Sequence, residues 1–413
     1  MDVLVIPSKI SGEVYAPPSK SYAHRYIISA FLSGGEGFIE NIGDSKDVLA
    51  TLGALFPVGL NYKCENNGVY ISKKPIEENP ILNCNESGST LRFLFPVMCA
   101  LGIKCTFTGK GRLLSRPIVE LSNCLNKNGA KIDGFSINGK LQSGEFTIKG
   151  DISSQFISGL LFALPLLDGD SKIVIEGQVV SEDYINITLE VLDKFGIEIS
   201  KKEYGYFVKG NQRYKMPNKN IIEGDYSGAS FLLSMGVLSE GVKVLNLNKA
   251  TSQGDKKIVE VLRKFGGIVE ELDNGYFAKK GTLTGITLDC ENIPDLVQII
   301  SVVAAYSKGA TKLLNVSRLK IKESDRIAGI INNLSRANVK AEFNGKDLII
   351  SGGEPIGATF SGDNDHRTVM SSVVLASFAN GNSNILGAEA VDKSYKNFFN
   401  DYMTLGGKIN GSF

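Results

Sequence analysis

Residues 191–199 read VLDKFGIEI and residues 261–269 read VLRKFGGIV. In both stretches an amphipathic segment ends on Phe-Gly and passes into β-branched residues. A glycine directly after a helix is typical of a left-handed C-terminal cap, and a short β-branched run is typical of a strand. Since the two stretches lie about 70 residues apart, we interpret them as copies of one helix–turn–strand repeat, and this repeat decides the fold.

Another helix, rich in small residues, accompanies each copy of the repeat. These helices are predicted at residues 21–32, 89–101, 154–167, 227–238, 295–307 and 367–379. Weaker copies of the quoted stretches follow at 121–132, 330–339 and 399–409. Alternating strands after glycine turns, at 205–209 and 274–278, are predicted to be hairpin partners.

The period of the repeat predicts two similar domains. A spacing of roughly 70 residues is too long for a solenoid, and the copies divide naturally into three and three. We expect one domain over residues 17–221 and the other over residues 1–16 with 222–413. Because the small-residue helices carry little charge, we expect them to be buried together with sheets outside them, in an α/β (α+β) fold.

Composition narrows the classes of function. The chain has 413 residues and a formal net charge of +1, so it has no general attraction for nucleic acid or an anionic membrane. Any anion site must therefore be a local cluster of Lys and Arg. The apolar run at 91–101 contains Arg92 and Pro96 and is too short to span a membrane, and the N-terminus lacks signal-peptide features, so we expect a cytosolic protein.

Metal, cofactor and covalent chemistry find no support in the sequence. The six cysteines form no Cys-x-x-Cys pair, and the two histidines are not spaced as metal ligands. No Walker A pattern, dinucleotide fingerprint or nucleophile elbow occurs, which argues against ATP, NAD and acyl-serine chemistry. We expect reduced, mostly buried thiols, no metal and no cofactor.

Cationic and hydroxyl side chains gather at predicted helix starts in the first half of the chain. Backbone N–H groups, the helix dipole and a cation together make a receptor for oxyanions. Ordinary helix capping is the alternative at each position, and Asp47 is interpreted as such a cap in preference to an extra polar contact. The positions are Lys20, Ser21 and Arg25; Gly88 and Arg92; Arg116 before Pro117; and Ser153, Ser154 and Gln155.

The second half adds a dense cluster, Lys322-Glu323-Ser324-Asp325-Arg326, followed by Arg367 and by Lys393. One interpretation is a surface network of ion pairs. The other is a set of cations for an anion, placed beside carboxylates that transfer protons. Both histidines, His24 and His366, directly precede an arginine.

Taken together, these motifs resemble the enolpyruvyl transferase family, and within it the shikimate branch. The resemblance covers essentially the whole chain, and its specificity lies in the order of the motifs. That family's fold has two similar domains, each with three βαβαββ units, buried helices and outer sheets, an inside-out α/β barrel. The motifs are Pro18-Ser19-Lys20-Ser21 with Arg25, Gly88 with Arg92, Arg116-Pro117-Ile118, Ser153-Ser154-Gln155-Phe156, Ser181 with Tyr184, Ile293-Pro294-Asp295, Lys322-Glu323-Ser324-Asp325-Arg326, Asn364-Asp365-His366-Arg367 and Lys393-Ser394.

The resemblance implies two small-molecule substrates, shikimate 3-phosphate and phosphoenolpyruvate, and a monomer that binds neither nucleic acid nor membrane. It implies that shikimate 3-phosphate is held by Lys20, Ser21, Arg25, Ser153, Ser154, Gln155, Ser181, Tyr184, Asp295 and Lys322. It implies that phosphoenolpyruvate is held by Lys20, Gly88, Arg116, Gln155, Arg326, Arg367 and Lys393. Each substrate carries a phosphate and a carboxylate, which Arg and Lys suit.

The implied reaction is an addition followed by an elimination. The shikimate 5-hydroxyl attacks C2 of the enol ester while C3 takes a proton, and the adduct then loses phosphate. A base and an acid are needed. We assign the base to Asp295 and the acid to Glu323, with Lys20 assisting. The resemblance also makes glyphosate a competitor of phosphoenolpyruvate, with room for it beside Gly88.

Two alternatives remain open at this stage. A UDP-N-acetylglucosamine enolpyruvyl transferase typically has a reactive Cys five residues before its Arg-Pro, where this chain has Gly111, and has Lys-Asn in place of Lys20-Ser21. A non-catalytic anion-binding homologue is expected to lack proton-transfer groups, yet they are present. Arg318, Glu86 and Phe93 depart from residues frequent in relatives.

Overall fold

The computed structural model describes residues 1–411, and secondary structure occurs throughout this range. The helices are α1 (Lys20–Ser33), α2 (Lys46–Leu55), α3 (Gly88–Leu101), α4 (Val119–Lys127), α5 (Ser154–Ala163), α6 (Glu182–Lys194), α7 (Tyr226–Leu238), α8 (Ile258–Phe265), α9 (Val297–Ala305), α10 (Arg326–Arg336), α11 (His366–Ser377) and α12 (Phe398–Thr404). None of the helices in this range has the length and hydrophobicity needed to cross a bilayer.

The strands are short, and most follow a helix or a turn. They are β1 (Asp2–Ile6), β2 (Ser11–Tyr15), β3 (Gly37–Glu40), β4 (Leu60–Glu65), β5 (Gly68–Lys73), β6 (Ile81–Asn83), β7 (Cys105–Thr108), β8 (Ala130–Asp133), β9 (Ser136–Gly139), β10 (Glu145–Lys149), β11 (Ser171–Glu176), β12 (Ile199–Lys202), β13 (Gly205–Val208), β14 (Gly241–Leu245), β15 (Ile268–Leu272), β16 (Gly275–Lys279), β17 (Thr287–Asp289), β18 (Ala310–Leu314), β19 (Ala341–Phe343), β20 (Leu348–Ser351), β21 (Thr359–Ser361), β22 (Ser383–Leu386) and β23 (Lys408–Asn410).

Internal contacts divide the chain into two compact units. The first unit is Lys20–Ile222, and the second unit is Met1–Ser19 together with the chain from Glu223 onward. Each unit has its own hydrophobic core of buried aliphatic and aromatic residues. The two units are described separately below.

The first unit contains three sheets with the strand orders β3-β5-β4, β6-β7-β9-β8 and β10-β11-β13-β12. In the last two sheets the first pair of strands is parallel and the other pairs are antiparallel. A parallel pair needs a crossover, which α3 and α5 supply, while a short turn suffices for the antiparallel hairpin. The chain order is therefore βαβαββ. In the first repeat, an isolated parallel bridge between Glu40 and Ile221 stands where the missing strand belongs.

The second unit repeats this pattern with help from the N-terminal residues. Its sheets have the orders β15-β16-β14-β2, β17-β18-β20-β19 and β21-β22-β1-β23. Strand β2 pairs in parallel with β14, and β1 pairs antiparallel with both β22 and β23. The first fifteen residues thus supply one strand to each of two sheets, which completes three βαβαββ repeats.

Burial separates the helices into two classes. All residues of α7, α9 and α11 are buried, α3 and α5 are nearly as buried, and α1 is buried from Tyr22 to Ala30. Helices α8 and α10 bury one face only, and strand β10 alternates between buried and exposed residues. The small-residue helices therefore form the interior and the sheets lie outside them. The predicted α/β class with buried helices is confirmed.

Some predicted boundaries were wrong. The helix expected at 295–307 begins at Val297, because Asp295 lies in the preceding turn. The helix expected at 154–167 ends at Ala163 and tightens into a 3-10 turn, Leu164–Leu166, which contains Pro165. Helix α2 was not predicted as an element. Hairpins β12–β13 and β15–β16 match the predicted turns.

Candidate functional site

In the first unit, Lys20 is the first residue of α1 and pairs with Asp47. The Lys20 Nζ lies 2.9 Å from Asp47 Oδ2, and both side chains are largely buried. The interpretation of Asp47 as a helix cap was wrong, since Ser45 caps α2 by accepting a hydrogen bond from the Val48 N–H. Asp47 therefore orients Lys20.

Arg25 fixes the start of α6 against α1. Its Nε donates to Thr188 Oγ1 at 2.8 Å, and its Nη atoms donate to the carbonyls of Ser21 and Tyr184, each at 2.7 Å. Burial lowers the pKa of Arg25 to about 10. Ser181, one residue before α6, is buried with a left-handed backbone (φ 56°). Arg25 thus brings the Ser181 to Tyr184 motif to the start of α1.

Gly88 and Arg116 come together although their motifs lie apart in the sequence. Gly88 is the first residue of α3, and a Cβ added there would lie 2.6 Å from Arg116 Nη1. The absence of a side chain at Gly88 therefore lets the Arg116 guanidinium approach the N-terminus of α3, where the helix dipole favours an anion. A methyl group added at Gly88 would therefore clash with the Arg116 guanidinium.

Gln155 is held by Arg92. Arg92 belongs to one of the quoted motifs but was not among the predicted site residues. Arg92 Nη1 donates to Gln155 Oε1 at 2.7 Å, and Gln155 Nε2 donates to Ser89 Oγ at 2.9 Å. Ser153 caps α5 by accepting from the Gln155 N–H. These bonds join the starts of α3 and α5 and fix the Gln155 amide.

In the second unit, Arg326 gathers three carboxylates. Its Nε donates to Asp365 Oδ2 and its Nη1 to Asp295 Oδ1, each at 2.8 Å, and its Nη2 donates to Glu323 Oε2 at 2.7 Å. Burial opposes the charged form, but the three carboxylates outweigh it and raise the pKa of Arg326. The guanidinium is therefore charged and holds both proposed proton-transfer carboxylates in place.

Asp295 lies among three cations. Besides Arg326, Lys322 Nζ lies 3.8 Å from Asp295 Oδ1, and Arg367 Nη2 lies 3.3 Å from Asp295 Oδ2. Burial lowers the pKa of Lys322, although the Asp295 charge opposes this. Lys393 is buried and donates from Nζ to the Asn364 carbonyl at 2.6 Å. Such a cluster can hold an anion beside a carboxylate able to accept a proton.

The predicted site residues thus fall into two groups, one on each unit. The first unit carries Lys20, Ser21, Arg25, Gly88, Arg116, Ser153, Ser154, Gln155, Ser181 and Tyr184; the second carries Asp295, Lys322, Glu323, Arg326, Arg367 and Lys393. Within each group most members lie at or next to helix N-termini.

Two contacts were missed from the sequence. Asp365 is a direct partner of Arg326, and Asp255 is linked to Arg367 through Ser227. Asp365 could have been predicted, because it stands within the quoted motif Asn364-Asp365-His366-Arg367. Asp255 directly precedes Lys256 and Lys257 but belongs to none of the quoted motifs, and only the fold shows its link to Arg367.

Comparison with known proteins identifies the relatives. The family model described as EPSP synthase (3-phosphoshikimate 1-carboxyvinyltransferase) matches residues 4–402. A 3-phosphoshikimate 1-carboxyvinyltransferase of Clostridium kluyveri is 40% identical over 418 residues, covering 99% of this chain and 98% of the relative. One of Clostridium perfringens is 39% identical, covering 99% of each. An EPSP synthase structure from Acinetobacter baumannii has the same fold, with a TM-score of 0.82 at 22% identity over 99% of this chain and 100% of that one.

Proposed function

The chain belongs to the EPSP synthase family, and we propose that it transfers the enolpyruvyl group of phosphoenolpyruvate to the 5-hydroxyl of shikimate 3-phosphate and releases phosphate. The observation that carries this proposal is the Arg326 cluster, where one buried guanidinium binds Asp295 and Glu323 among further cations. Anion binding and proton transfer both need such a cluster.

The substrates' charges fit the two groups of residues. Each substrate brings a phosphate and a carboxylate, and the two units offer cations and helix N-termini to receive them. We propose shikimate 3-phosphate contacts at Lys20, Ser21, Arg25, Ser153, Ser154, Gln155, Ser181, Tyr184, Asp295 and Lys322. We propose phosphoenolpyruvate contacts at Lys20, Gly88, Arg116, Gln155, Arg326, Arg367 and Lys393. The contacts of Arg25 support an indirect part for this residue, since three of its nitrogens bind protein oxygens.

The proton movements follow from the carboxylates. Asp295 removes the proton of the 5-hydroxyl as its oxygen bonds to C2 of phosphoenolpyruvate, and Glu323 delivers a proton to C3, with Lys20 assisting. The tetrahedral adduct then returns a proton from C3 to the Glu323 carboxylate as the bond between C2 and the phosphate oxygen breaks, so that phosphate leaves and the vinyl group is restored. Lys and Arg supply the positive charge that stabilises these anions.

We further propose that the protein acts as a monomer in the cytoplasm, without a metal or cofactor. The alternative acceptor, UDP-N-acetylglucosamine, is disfavoured because Gly111 stands at the position of that family's reactive Cys. A binding-only homologue is disfavoured because Asp295 and Glu323 are both present and held by Arg326.

Phosphate release tests this function. Purified protein is given phosphoenolpyruvate with shikimate 3-phosphate, with UDP-N-acetylglucosamine or with no acceptor, in buffer containing EDTA. We expect release only with shikimate 3-phosphate. Release with the UDP-sugar alone, or none with any acceptor, would overturn the proposal.

A further inference from the structure

A chain of contacts in the second unit ends on Arg367 and starts at a carboxylate outside the proposed site. Arg367 Nη2 donates to Ser227 Oγ at 3.0 Å and lies 3.3 Å from Asp295 Oδ2, and Ser227 Oγ in turn donates to Asp255 Oδ2. The other Nη of Arg367 donates to the Asp295 carbonyl at 3.2 Å. The Ser227 hydroxyl therefore links Asp255 to Arg367, which lies beside Asp295.

Asp255 is placed by its own segment. It lies in a 3-10 turn, Gly254–Lys257, and is buried. The preceding Gln253 accepts a hydrogen bond from the Tyr226 N–H at 3.0 Å and donates to the Gly224 carbonyl at 2.8 Å. These bonds fasten the turn to the start of α7, where Ser227 lies. A buried carboxylate fastened in this way needs a partner.

The electrostatics agree with a role at this position. Burial and the Asp295 charge raise the pKa of Asp255 to about 7, while Arg367 and the Ser227 hydroxyl favour its charged form. Because its raised pKa favours the neutral form, Asp255 cancels less of the Arg367 charge than an ordinary carboxylate would. That charge stays available to an anionic ligand.

We propose that Asp255 is a positioning residue which, through Ser227, holds the Arg367 guanidinium in place for phosphoenolpyruvate. The inference rests on the proposed function in assigning Arg367 to that substrate. Asp255 touches no substrate in this account. Its effect is confined to the orientation of Arg367 and therefore to the site that Arg367 serves.

The test compares four variants: Asp255→Ala, Ser227→Ala, both together, and Asp255→Asn. We expect Asp255→Ala and Ser227→Ala each to raise the KM for phosphoenolpyruvate by about tenfold, the effect of losing one well-placed contact, with a smaller change for shikimate 3-phosphate. The double variant should be no worse than either single variant, because both break the same chain. Asp255→Asn keeps an acceptor oxygen for Ser227 and should restore a near-normal KM.

The control is Asp347→Ala. Asp347 lies just before β20, accepts a hydrogen bond from the Asn315 N–H and pairs with Lys312. It is a carboxylate of the same unit without a link to Arg367. This variant should leave both KM values unchanged.

Crystal structures of the variants give a readout that does not depend on turnover. Arg367 should leave Ser227 and Asp295 in Asp255→Ala and stay in Asp255→Asn. An unmoved Arg367 in Asp255→Ala, or additive effects in the double variant, overturns the inference. If the wild-type protein shows no transfer, the proposed function fails while the crystal structures still decide the position of Arg367. If Asp255→Ala does not fold, Ser227→Ala carries the same comparison.

Discussion

Arg326 shows how one side chain organises a site at the residue scale. Three of its nitrogens bind three carboxylates, from the turn before α9, from the segment before α10 and from the start of α11. Because a guanidinium presents its donors in a fixed plane, it sets the positions of Asp295 and Glu323 relative to each other. The Arg326 contacts thus fix the two carboxylates to which we assign proton transfer.

Replacing Glu323 tests its role as the acid. In Glu323→Gln the side chain keeps its length and an acceptor oxygen for Arg326, but it can no longer deliver a proton. We expect kcat to fall by about 100-fold or more, the usual contribution of general acid–base catalysis, while the affinity for shikimate 3-phosphate stays the same. Steady-state kinetics and calorimetric titration measure the two quantities.

The matched control for this change is Glu342→Gln, an exposed glutamate of β19 paired with Lys340. Its kcat should equal that of the wild type. Near-normal turnover in Glu323→Gln would remove Glu323 from its assigned role.

Residues of the site were predictable where their partners are close in sequence. Lys322, Glu323 and Arg326 form one motif, so their cluster was visible before the fold. The contact of Arg367 with Ser227 spans 140 residues, and that of Arg92 with Gln155 spans 63. Such pairs depend on which helix starts the fold brings together, and no local pattern encodes them.

At the scale of elements, most of the proposed site residues lie at or next to helix N-termini. Asp365 caps α11 by accepting from the Arg367 N–H at 2.9 Å and also binds Arg326. One carboxylate therefore stabilises the helix start and fixes a cation of the site. Burial raises the pKa of Asp365, but Arg326 and His366 outweigh it, so that the pKa lies below its usual value.

The lowered pKa gives a prediction for stability. A carboxyl whose pKa is lower in the folded state stabilises the fold above its unfolded pKa of about 3.9, and this contribution is lost as pH falls through the folded value. Asp365→Asn removes one partner of a buried pair and should cost about 3 kcal/mol at pH 7. The deficit should shrink below about pH 4, where the wild type loses the same charge.

Denaturant unfolding of the wild type and Asp365→Asn across this pH range measures the difference. Asp325→Asn is a suitable control, because Asp325 caps α10 in the same way but is only half-buried. Its deficit should be smaller at pH 7. A difference between wild type and Asp365→Asn that grows on acidification would contradict the account.

Elements were predicted well where a glycine or a run of small residues marks them. The stretches at 191–199 and 261–269 do contain the ends of α6 and α8 and their glycine turns. Helix α2 was not given as an element because it follows a polar loop and because Pro57 interrupts its C-terminal turn before the left-handed Gly59. The start of α9 was placed too early because Asp295 resembled a cap, whereas its carboxylate binds Arg326.

At the scale of the whole molecule, the repeat predicted the number of buried helices but not the route of the chain. No local signal in the N-terminal segments β1 and β2 names their sheets, and only the register shows that β2 joins β14 and β1 joins β22. We propose that residues 17–221, and residues 1–16 with 222–413, are the two domains.

The central claim is that the enolpyruvyl group moves by cleavage of the bond between C2 and the phosphate oxygen of phosphoenolpyruvate. The most direct measurement uses phosphoenolpyruvate labelled with oxygen-18 at that bridging atom, turned over with shikimate 3-phosphate, and mass spectrometry of the phosphate. Because cleavage at C2 leaves the bridging oxygen on phosphorus, we expect the released phosphate to retain the label. Unlabelled phosphate, with the oxygen-18 left on the carbon skeleton, would mean that the P–O bond breaks and would contradict enolpyruvyl transfer.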